Sequence, residues 1–229
     1  MKLVALLLLA LAQPVAALPE RIEAEYHIYK AGLFIGRVQE TFVRTGDAYS
    51  IRSVTRSEGL LKVFLDDTLT VHSEGRVGPA GLQPLVFEQR RAGDPSRDIR
   101  ATFDWKNRLL HSQYRGEAKD VELPPGTQDR LSILYQFMNL PPGEDRVHMH
   151  MSNGRKVELY TYVKTEEARL KTPAGDFETQ RFERVTDGER QSKAQVWVAK
   201  DRFNIPVRIV FDDPNGLSLE QTLFELRTH

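Results

Sequence analysis

Apolar residues recur at every second position over most of this chain, and that period suits β-strands with one buried face and one wet face. In Ile22-Glu23-Ala24-Glu25-Tyr26-His27-Ile28 the apolar set falls on the even numbers alone. Comparable runs lie around 38–42, 49–55, 68–73, 85–91, 99–105, 147–151, 157–163, 177–185, 194–199, 207–211 and 217–226. Proline and glycine punctuate the gaps, at Gly78-Pro79, Pro173-Ala174-Gly175-Asp176 and Pro214-Asn215-Gly216, and Gly32 and Gly36 bracket a predicted turn. The pattern predicts an all-β, mainly antiparallel chain.

One segment breaks the alternation. Leu131, Leu134, Tyr135 and Met138 follow helical spacing. Thr127 is the expected N-cap, Asp129 complements the helix dipole, and Pro141-Pro142 ends the run, which gives an amphipathic helix of about three turns. A lone helix among many strands must bury its stripe on a sheet. The expected architecture is a curved sheet or open β-barrel wrapped around that helix.

The strongest hairpin signal is Asn153-Gly154, because a two-residue type I′ loop needs positive φ at both positions. Such a loop sets Ser152 opposite Arg155, His150 opposite Val157 and His148 opposite Leu159. Neither face is cleanly apolar, so the hairpin is expected to be an edge or a flap.

The N-terminus carries a different signal. Lys2, the apolar run 3–12 and the small residues Val15-Ala16-Ala17 have the plan of a cleavable signal peptide over residues 1–17. A run of about ten apolar residues is half the roughly 20 that a spanning helix needs. Cleavage after Ala17 leaves 229 − 17 = 212 residues, read as one β-rich domain over 18–229. It also removes one of 32 Lys+Arg, leaving 31 cations against 32 acids, a formal charge of −1. That balance argues against a general nucleic-acid binder. The chain has no cysteine, which excludes disulfides and attachment through a lipidated cysteine. A soluble periplasmic protein is the expectation.

Catalytic chemistry finds little support, and no catalytic residue, metal or cofactor is assigned. His148 and His150 share a strand face, but zinc wants three or four ligands and nothing in the hairpin supplies a third. Asp66 and Asp67 are strand neighbours pointing to opposite faces and read as a solvated pair. No serine sits in a Gly-x-Ser-x-Gly elbow and no glycine-rich phosphate loop precedes a helix. Arginine is more suggestive. Arg52 and Arg56 share a strand face, while Arg90 and Arg100 lie on strands expected nearby, so the four form a candidate patch for an anionic ligand. The alternative is ordinary ion pairing with Glu58, Glu74 and Glu88. Leu134 and Tyr135, on the helix, are the candidate apolar contacts. The aromatics Tyr26, Phe42, Phe87, Phe103, Trp105, Phe182, Trp197 and Phe211 read first as core and second as the lining of a sugar or lipid cleft.

Four passages recur in a familiar order. They are Tyr29-Lys30-Ala31-Gly32-Leu33-Phe34-Ile35-Gly36, Gln128-Asp129-Arg130-Leu131-Ser132-Ile133-Leu134-Tyr135-Gln136-Phe137, Thr172-Pro173-Ala174-Gly175-Asp176-Phe177, and Val196-Trp197-Val198-Ala199-Lys200-Asp201 followed by Ile205-Pro206-Val207-Arg208. Together they resemble the bacterial exported family catalogued as domain of unknown function 3108, over nearly all of residues 20–227. The resemblance implies an exported, β-rich protein of Gram-negative bacteria and supplies no reaction, ligand or catalytic residue. Function is therefore expected among three classes. The first is a non-enzymatic periplasmic binding protein for an apolar or amphiphilic envelope component, a lipid or glycan. The second is an interaction module that meets an envelope protein partner through a strand edge or the Asn153-Gly154 hairpin. The third is an enzyme with a dispersed site.

Overall fold

A computed structural model describes residues 19–58, 68–141, 143–186, 188 and 191–229. The leader at 1–17, the pair Asp66-Asp67 and Pro142 lie outside the described residues. Eight strands form a first antiparallel meander: β1 (Arg21–Lys30), β2 (Leu33–Thr45), β3 (Ala48–Ser57), β4 (Thr68–Gly78), β5 (Gly81–Arg91), β6 (Ile99–Asp104), β7 (Leu109–Tyr114) and β8 (Glu117–Glu122). The chain then runs through β9 (Gln128–Asp129), the helix α1 (Ser132–Gln136) and a 3₁₀ turn at Phe137–Asn139. A second meander follows: β10 (Arg146–Ser152), β11 (Val157–Thr172), β12 (Gly175–Arg184), β13 (Lys193–Ala199), β14 (Ile205–Asp212) and β15 (Ser218–Thr228).

All these strands belong to one sheet, ordered β8-β7-β6-β5-β4-β3-β2-β1-β15-β14-β13-β12-β11-β10-β9. The two meanders join where β1 pairs with β15, Ile22 facing Thr228. The sheet's edges, β8 and β9, are consecutive in sequence and only residues 123–127 separate them. Laid flat, fifteen strands would set those edges about 65 Å apart at the usual strand spacing. An extended link from Glu122 to Gln128 spans at most about 20 Å. The sheet must therefore curl until its edges nearly meet. Side chains complete the closure: Ser112 Oγ on β7 donates to the Gly154 carbonyl at the tip of the β10–β11 hairpin, 2.6 Å away, and the Arg155 guanidinium lies 4.0 Å from the centre of the Tyr114 ring.

The hairpin thus differs from expectation in two ways. Ser152 faces Val157, His150 faces Leu159 and His148 faces Thr161, so the loop has four residues, not two. Asn153 Oδ1 accepts from the amides of both Arg155 and Lys156, at 3.0 and 3.1 Å, and this side-chain turn replaces the type I′ geometry. The shift is by two residues, so every side chain keeps its face. Nor is the tip a free flap. Gly154, at φ +84°, is buried where an added Cβ would stand 2.6 Å from Ile99 Cγ2 and 3.0 Å from the Phe87 ring. Gly36 likewise marks no turn: Ala31 and Gly32, both at positive φ, make the β1–β2 turn, while Gly36 sits inside β2 facing Ser57.

The helix is shorter than the sequence suggested. Thr127 is buried and its hydroxyl bonds to the Pro124 carbonyl instead of capping α1. Asp129, two residues before the N-cap Leu131, instead bonds the amides that open α1, its Oδ1 accepting from Leu131 and Ser132 at 2.8 and 2.9 Å. The segment is also apolar on more than one side. Leu131 and Tyr135 pack into a cluster of β1–β7 residues with Phe42, Phe87 and Phe103, whereas Ile133 and Phe137 pack on the opposite wall with Tyr162, Phe182 and Val196. Leu134 is half-buried and touches both clusters. A helix surrounded in this way is a plug.

Candidate functional site

Five polar residues of the plug, Gln128, Asp129, Arg130, Tyr135 and Gln136, are each tied to a named strand or turn. Gln128 Nε2 donates to the Leu82 carbonyl at 2.7 Å. Asp129 Oδ2 accepts from Ser73 Oγ on β4 at 2.5 Å, and Tyr49 Oη on β3 lies 3.2 Å from the same hydroxyl. Arg130 reaches Gln89 on β5 at 3.1 Å, and Tyr135 Oη donates to Glu40 Oε1 on β2 at 2.8 Å. Gln136 clasps the β4–β5 turn from both sides, accepting from the Leu82 amide at 2.9 Å and donating to the Ala80 carbonyl at 2.8 Å.

Two acids are therefore held inside the barrel. Burial pushes the Glu40 carboxyl above its ordinary pKa, against the hydrogen bonds from Tyr135 and Ser53. Burial likewise raises Asp129, against bonds from Ser73, Ser132 and the Leu131 amide. Tyr26, whose hydroxyl donates to the Pro206 carbonyl at 2.9 Å, is pushed well up by burial and then by the nearby Glu40 charge. Glu40 and Asp129 lock the plug in place through the bonds to Tyr135 and Ser73.

The turns joining β2 to β3, β4 to β5 and β6 to β7 share one end of the barrel with the 123–127 link. There they enclose a cleft of about 350 Å³, floored by Gln128 and Gln136 and walled by Leu82, Val77, Ala80 and Trp105. Trp105 is half-buried, its Nε1 donating to the Pro84 carbonyl at 2.7 Å and its ring stacked on Phe103 at 5.9 Å. Gln128 is 2% exposed, and its Oε1 has no hydrogen-bond partner among the described residues.

The four candidate arginines lie elsewhere, on the outer face of β3, β5 and β6. Arg90 and Arg100 converge on one carboxylate, Glu88. Arg56 bonds to Gln39 at 2.9 Å, and Arg52 stands opposite Thr41 and His72. Arg52, His72, Glu88 and Arg100 form a single cross-strand row. Leu134 and Tyr135 face the interior, so the six residues divide into four arginines on the outer face and an inner pair. His148, exposed, bonds to Thr161 at 3.0 Å. Trp105 is legible in the sequence as one of eight aromatics read first as core and second as the lining of a sugar or lipid cleft, whereas Gln128 and Gln136 have no local signal.

A single antiparallel sheet curled around its own plug, with a ligand-sized cleft at the rim, defines a β-barrel-like protein. The chain belongs to the family described as protein of unknown function DUF3108, whose profile matches residues 25–222. A β-barrel-like protein of domain of unknown function DUF1849 from Brucella abortus is similar in structure, with a TM-score of 0.62 at 11% identity over 92% of this chain and 98% of that one. That likeness concerns the fold alone. A structure from Parabacteroides distasonis aligns at a TM-score of 0.36 and 12% identity over 92% of this chain and 96% of that one, too low for any inference of shared fold. No curated protein matches the chain. Among the described residues no helix is long and apolar enough to cross a membrane.

Proposed function

We propose that the chain is an exported, non-enzymatic binding protein of the periplasm that holds an apolar or amphiphilic envelope component at the rim of its barrel. The observation that carries this reading is the cleft beside α1. The interior is occupied, with Phe42, Phe87, Phe137 and Phe182 at 0–1% exposure, so a ligand has its room at the rim. The cleft combines an apolar wall with a few fixed polar groups, the usual composition of a small-molecule site. Export rests on the leader plan at 1–17. Mass spectrometry of the protein purified natively from its periplasm tests both parts. A chain starting at Leu18 with a bound lipid or glycan is expected; a ligand-free chain retaining Met1 contradicts it.

A second reading, an interaction module for an envelope protein partner, is favoured by an aromatic seam on the outside of β1, β2 and β15. His27 stacks on Phe224 at 3.9 Å and meets Phe34 at 4.8 Å, with Leu33 70% exposed on the same turn. A co-purifying protein in place of a small molecule supports this alternative.

A further inference from the structure

The rim cleft does not end at Trp105. A second hollow of about 500 Å³ shares Trp105, Arg76 and Gln83 with it and continues over Asp104, Lys106 and His111. The two hollows meet at Trp105, Arg76 and Gln83 and are taken together as one groove. We propose that this groove binds an uncharged oligosaccharide, a proposal that rests on the reading of the chain as a binding protein and specifies its ligand class.

Three observations converge on that class. A pyranose has an apolar C–H face and a rim of hydroxyls that both donate and accept. An indole matches the first, and Trp105 is held for it by the Pro84 carbonyl and by Phe103. Planar side chains with paired donors or acceptors match the second, and Gln83, Gln128, Gln136 and Arg76 line the cleft on the plug side of the indole. The amide of Gln128 is fixed by the bonds from its Nε2 to the Leu82 and Gly126 carbonyls, which makes the floor of the cleft rigid. Charge excludes a strongly ionic ligand: Asp47 and Asp104 balance Arg76 and Lys106, while His111 is already held by Asp120 at 2.7 Å. The walls are built in advance, because Gln136 clasps the β4–β5 turn and an added Cβ at Gly81 would stand 2.4 Å from its Oε1. Such preorganisation lowers the ordering cost of binding.

The test is a titration of the ¹⁵N-labelled full-length protein with the tetramers of N-acetylglucosamine, β-1,4-glucose and α-1,4-glucose, and separately with a sugar-free dodecyl oligoethylene glycol. At least one tetramer is expected to shift the Trp105 indole N–H and the Gln83 and Gln136 amides saturably while leaving Trp197 unmoved. Trp105→Phe should weaken that binding roughly tenfold, as loss of a central aromatic anchor does. Gln83→Ala, at an exposed position, should weaken it severalfold without threatening the fold. Shifts from the sugar-free amphiphile at Trp105 with none from any tetramer overturn the carbohydrate proposal and leave the binding-protein reading standing. No shift from either kind of probe overturns both. Sugar-induced shifts confined to residues outside the groove overturn the site.

Discussion

Tyr135 Oη donates a 2.8 Å hydrogen bond to Glu40 Oε1 across 95 positions of sequence, joining the plug to the wall it stacks on. The same tyrosine ring lies 5.0 Å from that of Phe42. Tyr135→Phe keeps the ring and removes the bond, leaving Glu40 short of a partner inside the barrel. The expected cost is about 1–3 kcal/mol in urea unfolding. A change within experimental error would mean that the bond does not hold the plug.

The buried acids give stability a particular pH dependence. Glu40 has a folded-state pKa above its ordinary 4.5, so the folded chain binds this proton more tightly than the unfolded one. Its contribution is fully present below about that ordinary value and is lost as pH rises through the folded-state value. The stability of the wild type relative to Glu40→Gln should therefore fall with rising pH over that window. Unfolding midpoints of both proteins across the acid-to-neutral range check the sign; a difference that grows with pH contradicts it.

At the barrel closure, Gly154→Ala puts a Cβ against Ile99 and Phe87 at a residue already at φ +84°. Overpacking adds about 1–3 kcal/mol to the left-handed backbone penalty. Gly46→Ala is the control, since Gly46 has φ +61° and, among the described residues, nothing within 4 Å of an added Cβ. It should cost only the backbone penalty, about 1–2 kcal/mol. Equal losses in thermal or urea unfolding would show that the hairpin tip does not pack as described.

Much of this fold could be read locally, because alternation reports burial without knowledge of the partner strand. The strands β7 and β8 escaped detection for a physical reason: β8 is Glu117-Ala118-Lys119-Asp120-Val121-Glu122, an edge strand whose charges blunt pairing and erase the period. The turn before it uses Arg115 and Gly116, both at positive φ, a geometry usually announced by asparagine. The plug was visible as a helix, but not its second buried side or the strands that Asp129, Tyr135 and Gln136 reach, since those contacts span 54–95 positions. The rim groove is assembled from four separate segments, and no one of them carries its signature.

The plug's two-sided burial separates its leucine from its phenylalanine. Phe137 is fully buried between Tyr162 and Phe182, so Phe137→Ala should cost about 3–5 kcal/mol. Leu134 is half-buried, and Leu134→Ala should fall below the roughly 2–5 kcal/mol of a fully buried leucine, near 1–2 kcal/mol. Chemical denaturation of both variants ranks them; the reverse order would place the plug differently.

Hydrogen–deuterium exchange of the full-length protein decides most directly whether the interior is permanently filled. If the plug is part of the core, the amides of Leu131 and Ser132, bonded to Asp129 Oδ1, exchange only through global unfolding, as slowly as those of β2 and β5. Edge strand β8 should exchange far faster. Plug amides that exchange orders of magnitude faster than β2 and β5 would mean that the segment opens on its own and the barrel interior is a chamber, contradicting a ligand site confined to the rim.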